Sequence, residues 1–151
     1  MVTAMSVEER ERFLAGLHVG VIAIERDDGP PLAVPIWYDY QPGGELWVIT
    51  ADGSVKGRLL HQAGRFTLCV QDETPPFYKY VSVEGPIVRV EPADQESVRR
   101  PMARRYFGDE MGDAYVERTP GGGTTFTMTP ERWWTVDYSK TDTDTAADTA
   151  T

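Results

Sequence analysis

The stretch VPIWYDYQPGGELWVITADGSVKGR, residues 34–58, carries most of the information about the fold of this chain. It opens with an apolar run, crosses a Pro-Gly-Gly turn at 42–44 and continues as a second apolar run at 46–50. Two such runs joined by a glycine-containing turn predict an antiparallel β-hairpin. Ser54 then begins a segment with helical spacing, so the stretch predicts a hairpin that leads directly into a serine-capped helix.

The first turns of this predicted helix carry two basic residues, Lys56 and Arg58. A helix N-terminus has partial positive charge and unpaired amide groups, so cations there are unfavourable unless an anion lies among them. Phosphate is a frequent occupant of such helix ends. The placement therefore indicates a phosphate site, in which Ser54 acts both as cap and as donor. The alternative is a solvated basic helix face without a ligand.

The composition fits one globular domain. The chain has 151 residues, 40% of them hydrophobic and 11% aromatic, which is enough for one core and too little for two domains. The net charge of −9 argues against nonspecific nucleic-acid binding and against attachment to anionic membranes. No apolar run approaches the length that spans a bilayer, and the N-terminus has no signal-peptide pattern. We therefore expect a cytoplasmic protein with no nucleic-acid or membrane partner.

Few residues offer metal binding or catalysis by the protein itself. Cys69 lies in an apolar, strand-like run and is interpreted as a buried small hydrophobe. His18 and His61 are far apart in the sequence and belong to no metal-ligand pattern, so no metal site is predicted. No nucleophile or acid–base pair stands out, and the catalytic residues stay unassigned. This pattern is typical of enzymes whose cofactor supplies the reactive atom.

The rest of the chain completes the order helix, three strands, helix, two strands, helical insert, two strands. This order suits a small antiparallel β-barrel with peripheral helices, and so a mainly β fold. Residues 141–151 contain no large apolar side chain and are predicted to be a disordered tail after a domain at 1–140. The predicted elements are a helix capped by Ser6 and ending near Gly16, strands at 19–25, 32–40, 46–50, 66–71, 78–91, 124–129 and 133–138, a helix at 54–63, and an insert at 94–106 divided by Pro101 and followed by a helical turn at 112–118.

Periodicity also assigns side chains to the core. Leu17 of the first helix, Val55 of the second and Val90 of the long strand are predicted to face inward. In the long strand, Gly85-Pro86 is predicted to mark a bulge or bend.

With these elements in order, the sequence resembles the FMN-binding split β-barrel superfamily typified by pyridoxamine 5'-phosphate oxidase. The resemblance is closer to its small deazaflavin-dependent branch, which uses coenzyme F420. It runs from about residue 6 to residue 138. It rests on the order of elements and on four local matches, at 34–38, 50–58, 69–77 and 130–133.

The resemblance implies a homodimer with two cofactor sites at the subunit interface and a small-molecule substrate. It implies that the flavin or deazaflavin ring lies beside the second strand, at Val34, Pro35, Ile36 and Trp37. It also implies that the ribityl chain and phosphate are held by Ile49, Thr50, Ala51, Ser54 and Lys56. Arg58 matches the second basic position of the branch's Lys-x-Arg-x-Leu pattern.

Pro35 agrees with a ring in this place. A proline removes one hydrogen-bond donor from a strand, and in a central strand it is tolerated best where something other than a paired strand occupies the neighbouring space. The alternative interpretation is that Pro35 lies on an edge strand and that Trp37 belongs to the ordinary core.

Three hypotheses on function remain. The first is a coenzyme F420-dependent oxidoreductase that transfers a hydride from the reduced cofactor to a small conjugated acceptor. It is favoured because residues 32–38 contain no basic residue, whereas FMN oxidases of this superfamily carry an arginine there. The second is an FMN-dependent oxidase or flavin reductase. The third is a non-catalytic protein that binds F420 or a tetrapyrrole.

Overall fold

The computed structural model describes residues 3–140, in which strands form one antiparallel sheet with helices at its periphery. The helices of this part are α1 (Val7–Ala15), α2 (Val55–Ala63), α3 (Arg100–Phe107) and α4 (Asp109–Arg118), and a π-helical turn, Gln95–Arg99, leads into α3. The strands are β1 (Gly20–Ile24), β2 (Leu32–Ile36), β3 (Tyr38–Tyr40), β4 (Leu46–Thr50), β5 (Arg65–Asp72), β6 (Lys79–Pro92), β7 (Thr124–Met128) and β8 (Arg132–Asp137). The predicted tail at 141–151 lies outside the described residues.

The sheet closes on itself at Trp37. Its strand order is β2-β1-β5-β6-β7-β4-β3, with β8 paired to β6. The two end strands, β2 and β3, are consecutive in the chain and are separated by Trp37 alone. The sheet must therefore curl until its ends meet, which produces a barrel that is split at this residue. The predicted mainly β split barrel with peripheral helices is confirmed.

Strand β6 is shared between the two halves of the barrel. Its first half pairs with β5 and β8, and its second half pairs with β7. The register shifts between Ile87 and Arg89, so the irregularity predicted at Gly85-Pro86 occurs two residues later. Glycine is required at position 85 for a different reason: a Cβ atom there would lie 1.9 Å from the carbonyl oxygen of Thr129.

Alternate residues of the strands fill the barrel, as the pleat requires. Helix α1 contributes Leu14 to this core and α2 contributes Leu60. The strand residues of the core are Ile22, Ile24, Ile36, Tyr38, Tyr40, Leu46, Val48, Phe66, Leu68, Val70, Val81, Val83, Phe126 and Met128.

The predicted helix ends are confirmed in atomic detail. The Ser6 hydroxyl accepts a hydrogen bond from the Glu9 backbone N–H, and the Glu9 carboxylate accepts one from the Ser6 backbone N–H, which is a capping box. The Ser54 hydroxyl caps α2 by accepting from Gly57 N–H at 3.0 Å. Gly64 ends α2 in the left-handed conformation, with φ of 68°.

Residues 32–40 do not form the single predicted strand. The ladder of β2 is with β1 and that of β3 is with β4, so the hydrogen-bonding partner changes at Trp37. The break is tertiary in origin, and the apolar alternation continues across it. Because β2 ends the sheet, Pro35 lies on an edge strand, and the prediction of a central strand was wrong.

Some predicted core positions were also wrong. Leu17 lies beyond the end of α1, Val55 is the first residue of α2, and both are exposed because neither faces the barrel. Val90, in the half of β6 that pairs with β7, is also exposed. Cys69 is half-buried on the outer face of the sheet, opposite to Leu68 and Val70.

The helical insert follows the prediction closely. The predicted two helical pieces correspond to the π-helical turn and α3, which adjoin at Arg99–Arg100, and Pro101 lies in the first turn of α3, where its missing N–H is tolerated. Helix α4 begins at Asp109, three residues before the predicted turn at 112–118. No described helix is both long enough and apolar enough to cross a membrane.

Candidate functional site

A cavity of about 420 Å³ lies between the end of β4 and the hairpin of α3 and α4. The barrel side is formed by Trp37, Ile49, Thr50, Ala51 and Asp52. The insert side is formed by Arg99, Met102, Ala103, Tyr115 and Val116, and a glycine-rich loop at 120–123 completes the rim. The insert therefore covers part of one end of the barrel and forms an open cleft there.

The floor of the cavity follows from the alternation of β4. Val48 and Thr50 point to the core, whereas Ile49 points to the outer face and meets the cavity. The Thr50 hydroxyl is buried and has no hydrogen-bond partner in the described part of the chain. A Cβ atom on Gly57 would lie 3.1 Å from this oxygen and 3.2 Å from that of Ser54, so the absence of a side chain there leaves both hydroxyls uncrowded.

Trp37 forms the wall that joins the barrel to the insert. Its ring stacks on Tyr106 with centroids 4.7 Å apart and planes at 5°. Phe107 meets it edge-on at 5.0 Å, and Tyr115 lies at 6.0 Å. These contacts fix the Trp37 ring because aromatic pairs favour stacked and edge-on arrangements.

Two residues of α3 anchor the insert to the barrel. The Tyr106 hydroxyl donates to the His18 carbonyl at 2.6 Å and accepts from the Tyr38 backbone N–H at 3.1 Å. The Arg105 guanidinium donates to the carbonyls of Tyr38 and Gly16, at 3.0 and 2.7 Å. Burial raises the pKa of the Tyr106 hydroxyl, so it stays protonated as a donor at neutral pH.

Asp52 ties the rim loop to the end of β4. Its carboxylate accepts from the Gly123 backbone N–H at 3.1 Å and from the Thr124 hydroxyl at 2.9 Å. These hydrogen bonds lower the pKa of Asp52, so the carboxylate is charged at neutral pH. Asp52 therefore has a structural task within the rim.

The structure brings some of the predicted cofactor residues together. Trp37, Ile49, Thr50 and Ala51 all line the cavity. Ser54, Lys56 and Arg58 lie at the start of α2, a few residues further along the chain. They do not line the cavity. The cavity and the basic helix start are thus joined through the short segment 50–54.

The start of α2 has the features of an anion site. Among the α-helices of the described chain, only α2 and α3 have no acidic residue in the first turn. Within residues 3–140, neither the Lys56 nor the Arg58 side chain forms an ion pair or a hydrogen bond. In the same range no acceptor meets the backbone N–H of Val55 or Lys56. Unpaired cations and free amides therefore share one helix end.

The three β2 residues predicted to contact the ring do not line this cavity. Ile36 is buried in the core, and Val34 packs against it. Pro35 is exposed on the outer face and is opposite Val21 in the register with β1. Because β2 is an edge strand, the missing N–H of Pro35 needs no neighbouring ring to explain it.

Sequence reasoning missed the insert side of the cavity. Met102 and Ala103 show as the buried face of an amphipathic helix, but the sequence does not say which part of the barrel that face covers. Arg99 stands beside Arg100 and has no distinguishing pattern of its own. Tyr115 was part of a predicted helical turn without an assigned role.

Comparison with known proteins gives one family match and several similar folds. Residues 6–137 match the family model described as pyridoxamine 5'-phosphate oxidase. No curated protein matches the sequence significantly. A conserved hypothetical protein from Mycobacterium tuberculosis has a TM-score of 0.75 at 23% identity, over 93% of this chain and 89% of that one.

Two further solved structures have names that mention a cofactor. A protein described as an F420 reductase has a TM-score of 0.66 at 19% identity, over 82% of this chain and 94% of that one. A FAD-binding protein from Mesorhizobium loti has a TM-score of 0.60 at 21% identity, over 89% of this chain and 96% of that one. At these identities the likeness is one of fold.

Proposed function

The chain belongs to the pyridoxamine 5'-phosphate oxidase family, and from this premise we propose that it is a coenzyme F420-dependent oxidoreductase. The reaction is transfer of a hydride between the cofactor and a small conjugated acceptor. The observation that carries the proposal is the start of α2, where Lys56 and Arg58 have no acidic partner in the described chain and adjoin a cavity.

We assign the phosphate of the cofactor to the start of α2. Ser54, Lys56 and Arg58 supply a hydroxyl and two cations, and the free amides of the first turn supply N–H donors. The Thr50 hydroxyl is left out of this set, because it points to the core and is buried. This donor set fits a phosphate, which presents several acceptor oxygens and negative charge.

We place the ring and the ribityl chain along Trp37, Ile49, Thr50 and Ala51, which line the cavity floor. We also propose that the backbone of β2 at Val34, Pro35 and Ile36 contacts the ring. When bound, the deazaflavin supplies the hydride chemistry. The chain's own residues hold the cofactor, exclude water with the insert and orient the acceptor beside Trp37.

The choice of a deazaflavin over FMN rests on the second strand. Residues 32–38 have no basic side chain that reaches toward a phosphate, so the charge must come from α2. The similarity to a protein described as an F420 reductase agrees with this choice, and the similarity to a FAD-binding protein keeps the flavin alternative in the test.

We also propose that the protein works as a homodimer. The support is a row of residues that face outward across five strands: Pro35, Val21, Cys69, Ser82 and Trp134. Val21 and Trp134 are 41% and 51% exposed, which leaves apolar area in water at the second and the last position of this row. A second copy of the chain would remove this area from water.

The deciding experiment is a binding titration. Oxidised coenzyme F420 and, separately, FMN are added to the purified protein while the emission of its four tryptophans is followed. We expect saturable quenching by coenzyme F420. Lys56→Ala and Arg58→Ala should each weaken binding about tenfold or more, because a charged hydrogen bond to phosphate is lost. The control is Arg12→Ala, which removes one exposed charge from α1.

Each outcome of this titration decides between the hypotheses. Preference for FMN, or a yellow chromophore that copurifies, would move the protein to the FMN-dependent oxidases and flavin reductases. Tight binding of coenzyme F420 with no acceptor reduced across a broad panel would favour a protein that stores or delivers the cofactor. Unchanged affinity in Lys56→Ala would refute the phosphate assignment.

A further inference from the structure

Arg99 differs from its neighbours in the insert because it has no acidic partner. Arg100 and Arg104 each form an ion pair with Asp113, at 2.8 and 2.7 Å. Within residues 3–140 no carboxylate oxygen lies within 4.0 Å of the Arg99 guanidinium. Arg99 is also the only cation among the residues that line the described cavity. The cavity therefore contains one positive charge that no neighbouring acid neutralises.

The Arg99 side chain is held in place by neutral oxygens. It donates to the Gln95 side-chain oxygen at 2.6 Å and to the Thr119 hydroxyl at 3.0 Å. Gln95 is itself fixed by donating to the Val116 carbonyl, and the Thr119 hydroxyl donates to the Tyr115 carbonyl. These contacts fix the guanidinium and leave its charge intact. Of its five N–H donors, two are used in this way and three remain.

The other charged residue of the cavity lining is Asp52, which keeps its charge but forms no ion pair with Arg99 in residues 3–140. Its carboxylate is held at the rim by the Gly123 backbone N–H and the Thr124 hydroxyl. The remaining lining is mainly apolar and aromatic, with Trp37 and Tyr115 as its largest side chains. A conjugated, apolar ligand body would pack against Trp37 and Tyr115, and a negative group on it would find a preorganised partner in Arg99.

We infer that the acceptor of this enzyme carries a carboxylate or a similar anionic group on a flat conjugated body, and that Arg99 selects it by binding that group. The inference rests on the proposed function, since it concerns the substrate of the same site. Trp37 belongs to the wall shared by cofactor and acceptor, so an acceptor held by Arg99 lies between the insert and the cofactor.

A purely structural role for Arg99 predicts a different result. Its hydrogen bonds to Gln95 and Thr119 also connect the start of the insert to its end. If this connection is its whole purpose, loss of Arg99 lowers stability and leaves the relative affinity for charged and neutral ligands unchanged. A comparison between two ligands of equal shape therefore separates the two roles.

The test uses trans-cinnamate and trans-cinnamamide, two flat conjugated molecules that differ in charge. Their dissociation constants are measured by ligand-observed NMR on the wild-type protein, with and without coenzyme F420. We expect cinnamate to bind about tenfold or more tightly, as a charge-assisted hydrogen bond provides. Arg99→Gln should remove this preference, and Arg99→Lys should retain part of it because the charge remains.

The matched control is Arg118→Gln. It removes the same charge from the same helical hairpin, at an exposed position of α4 that does not line the cavity. It should keep the wild-type preference. Equal affinity of the two probes for the wild type, absence of saturable binding by cinnamate, or a preference that survives in Arg99→Gln would overturn the inference. If Arg99→Gln fails to fold, the wild-type comparison and Arg99→Lys still decide.

Failure of the proposed function is recognised separately. If neither coenzyme F420 nor FMN binds while cinnamate is preferred through Arg99, the redox proposal falls and the anion-selective cavity stands. If coenzyme F420 binds and the preference is absent, the proposed function stands and the role of Arg99 in selection falls.

Discussion

At the scale of single residues, Trp37 has three structural roles. It separates β2 from β3, stacks on Tyr106 and lines the cavity. The sequence predicted Trp37 as a neighbour of the cofactor ring, and the lining of the cavity includes it. The break of the strand was not predictable, because the change of hydrogen-bonding partner at Trp37 depends on how the whole sheet closes.

Gly85 gives a sharp test of packing at one residue. In Gly85→Ala the new Cβ atom would overlap the Thr129 carbonyl, so backbone must move and the free energy of unfolding should fall by about 2 kcal/mol or more. Urea denaturation followed by circular dichroism measures it. Gly121→Ala is the control, because nothing lies within 4 Å of a Cβ atom there. Equal stability of the two variants would contradict the predicted clash.

At the scale of elements, the ends of helices were predictable and their placement was not. Ser6, Ser54 and Gly64 act through hydrogen bonds within a few residues, and local sequence contains all of that information. Val55 and Val90 were misplaced because their burial depends on which neighbour covers them. The insert is the larger case: its helices were predicted, and their position over β4 depends on distant contacts of Arg105 and Tyr106.

The ion pairs between α3 and α4 should contribute less to the stability of the fold in acid. Two arginines, Arg100 and Arg104, lower the pKa of Asp113 from 3.8 to about 2. A carboxyl group whose pKa is lower in the folded state stabilises the fold above its unfolded pKa, so this contribution is lost as the pH falls from 3.8 toward 2. Asp113→Asn should lower the melting temperature at pH 5, and the difference from wild type should shrink by pH 2.

Thermal melts of both proteins between pH 5 and pH 2 measure this effect. Glu117→Gln is the matched control on the same helix, because Glu117 is exposed and makes no ion pair in residues 3–140. It should follow the wild type at every pH. A constant difference between Asp113→Asn and wild type over this range would show that the two arginines do not act through the charge of Asp113.

At the scale of the whole molecule, the order of strands and helices predicted a barrel, and four local matches in addition to this order indicated its family. The barrel side of the cavity, at residues 37 and 49–51, was predicted through the resemblance as part of a cofactor site, a role that stays a prediction. The insert half was not, because Arg99, Met102 and Tyr115 reach the cavity only through the tertiary placement of α3 and α4. The local motif thus indicated one side of the cavity, and the tertiary fold determined the residues on the other side.

The proposed homodimer is tested on the outer face of the sheet. The double variant Val21→Ser, Trp134→Ser removes the exposed apolar area of the row and should sediment as a monomer at micromolar concentration, where we expect a wild-type dimer. Analytical ultracentrifugation measures both. Val7→Ser is the control, because Val7 is an exposed apolar residue of α1 that lies outside the row. A monomeric wild type, or a variant that remains dimeric, would refute this interface.

The insert, which consists of the π-helical turn, α3 and α4, is a single uninterrupted piece of chain between β6 and β7, yet it forms the whole insert side of the cavity. Changes of ligand preference can therefore accumulate, or be engineered, within this one segment while the strands that hold the barrel together keep their sequence. Exchange of this segment between related barrels is a direct route to new ligand preferences on this scaffold. Arg105 and Tyr106 would be retained, because their hydrogen bonds hold α3 to the barrel.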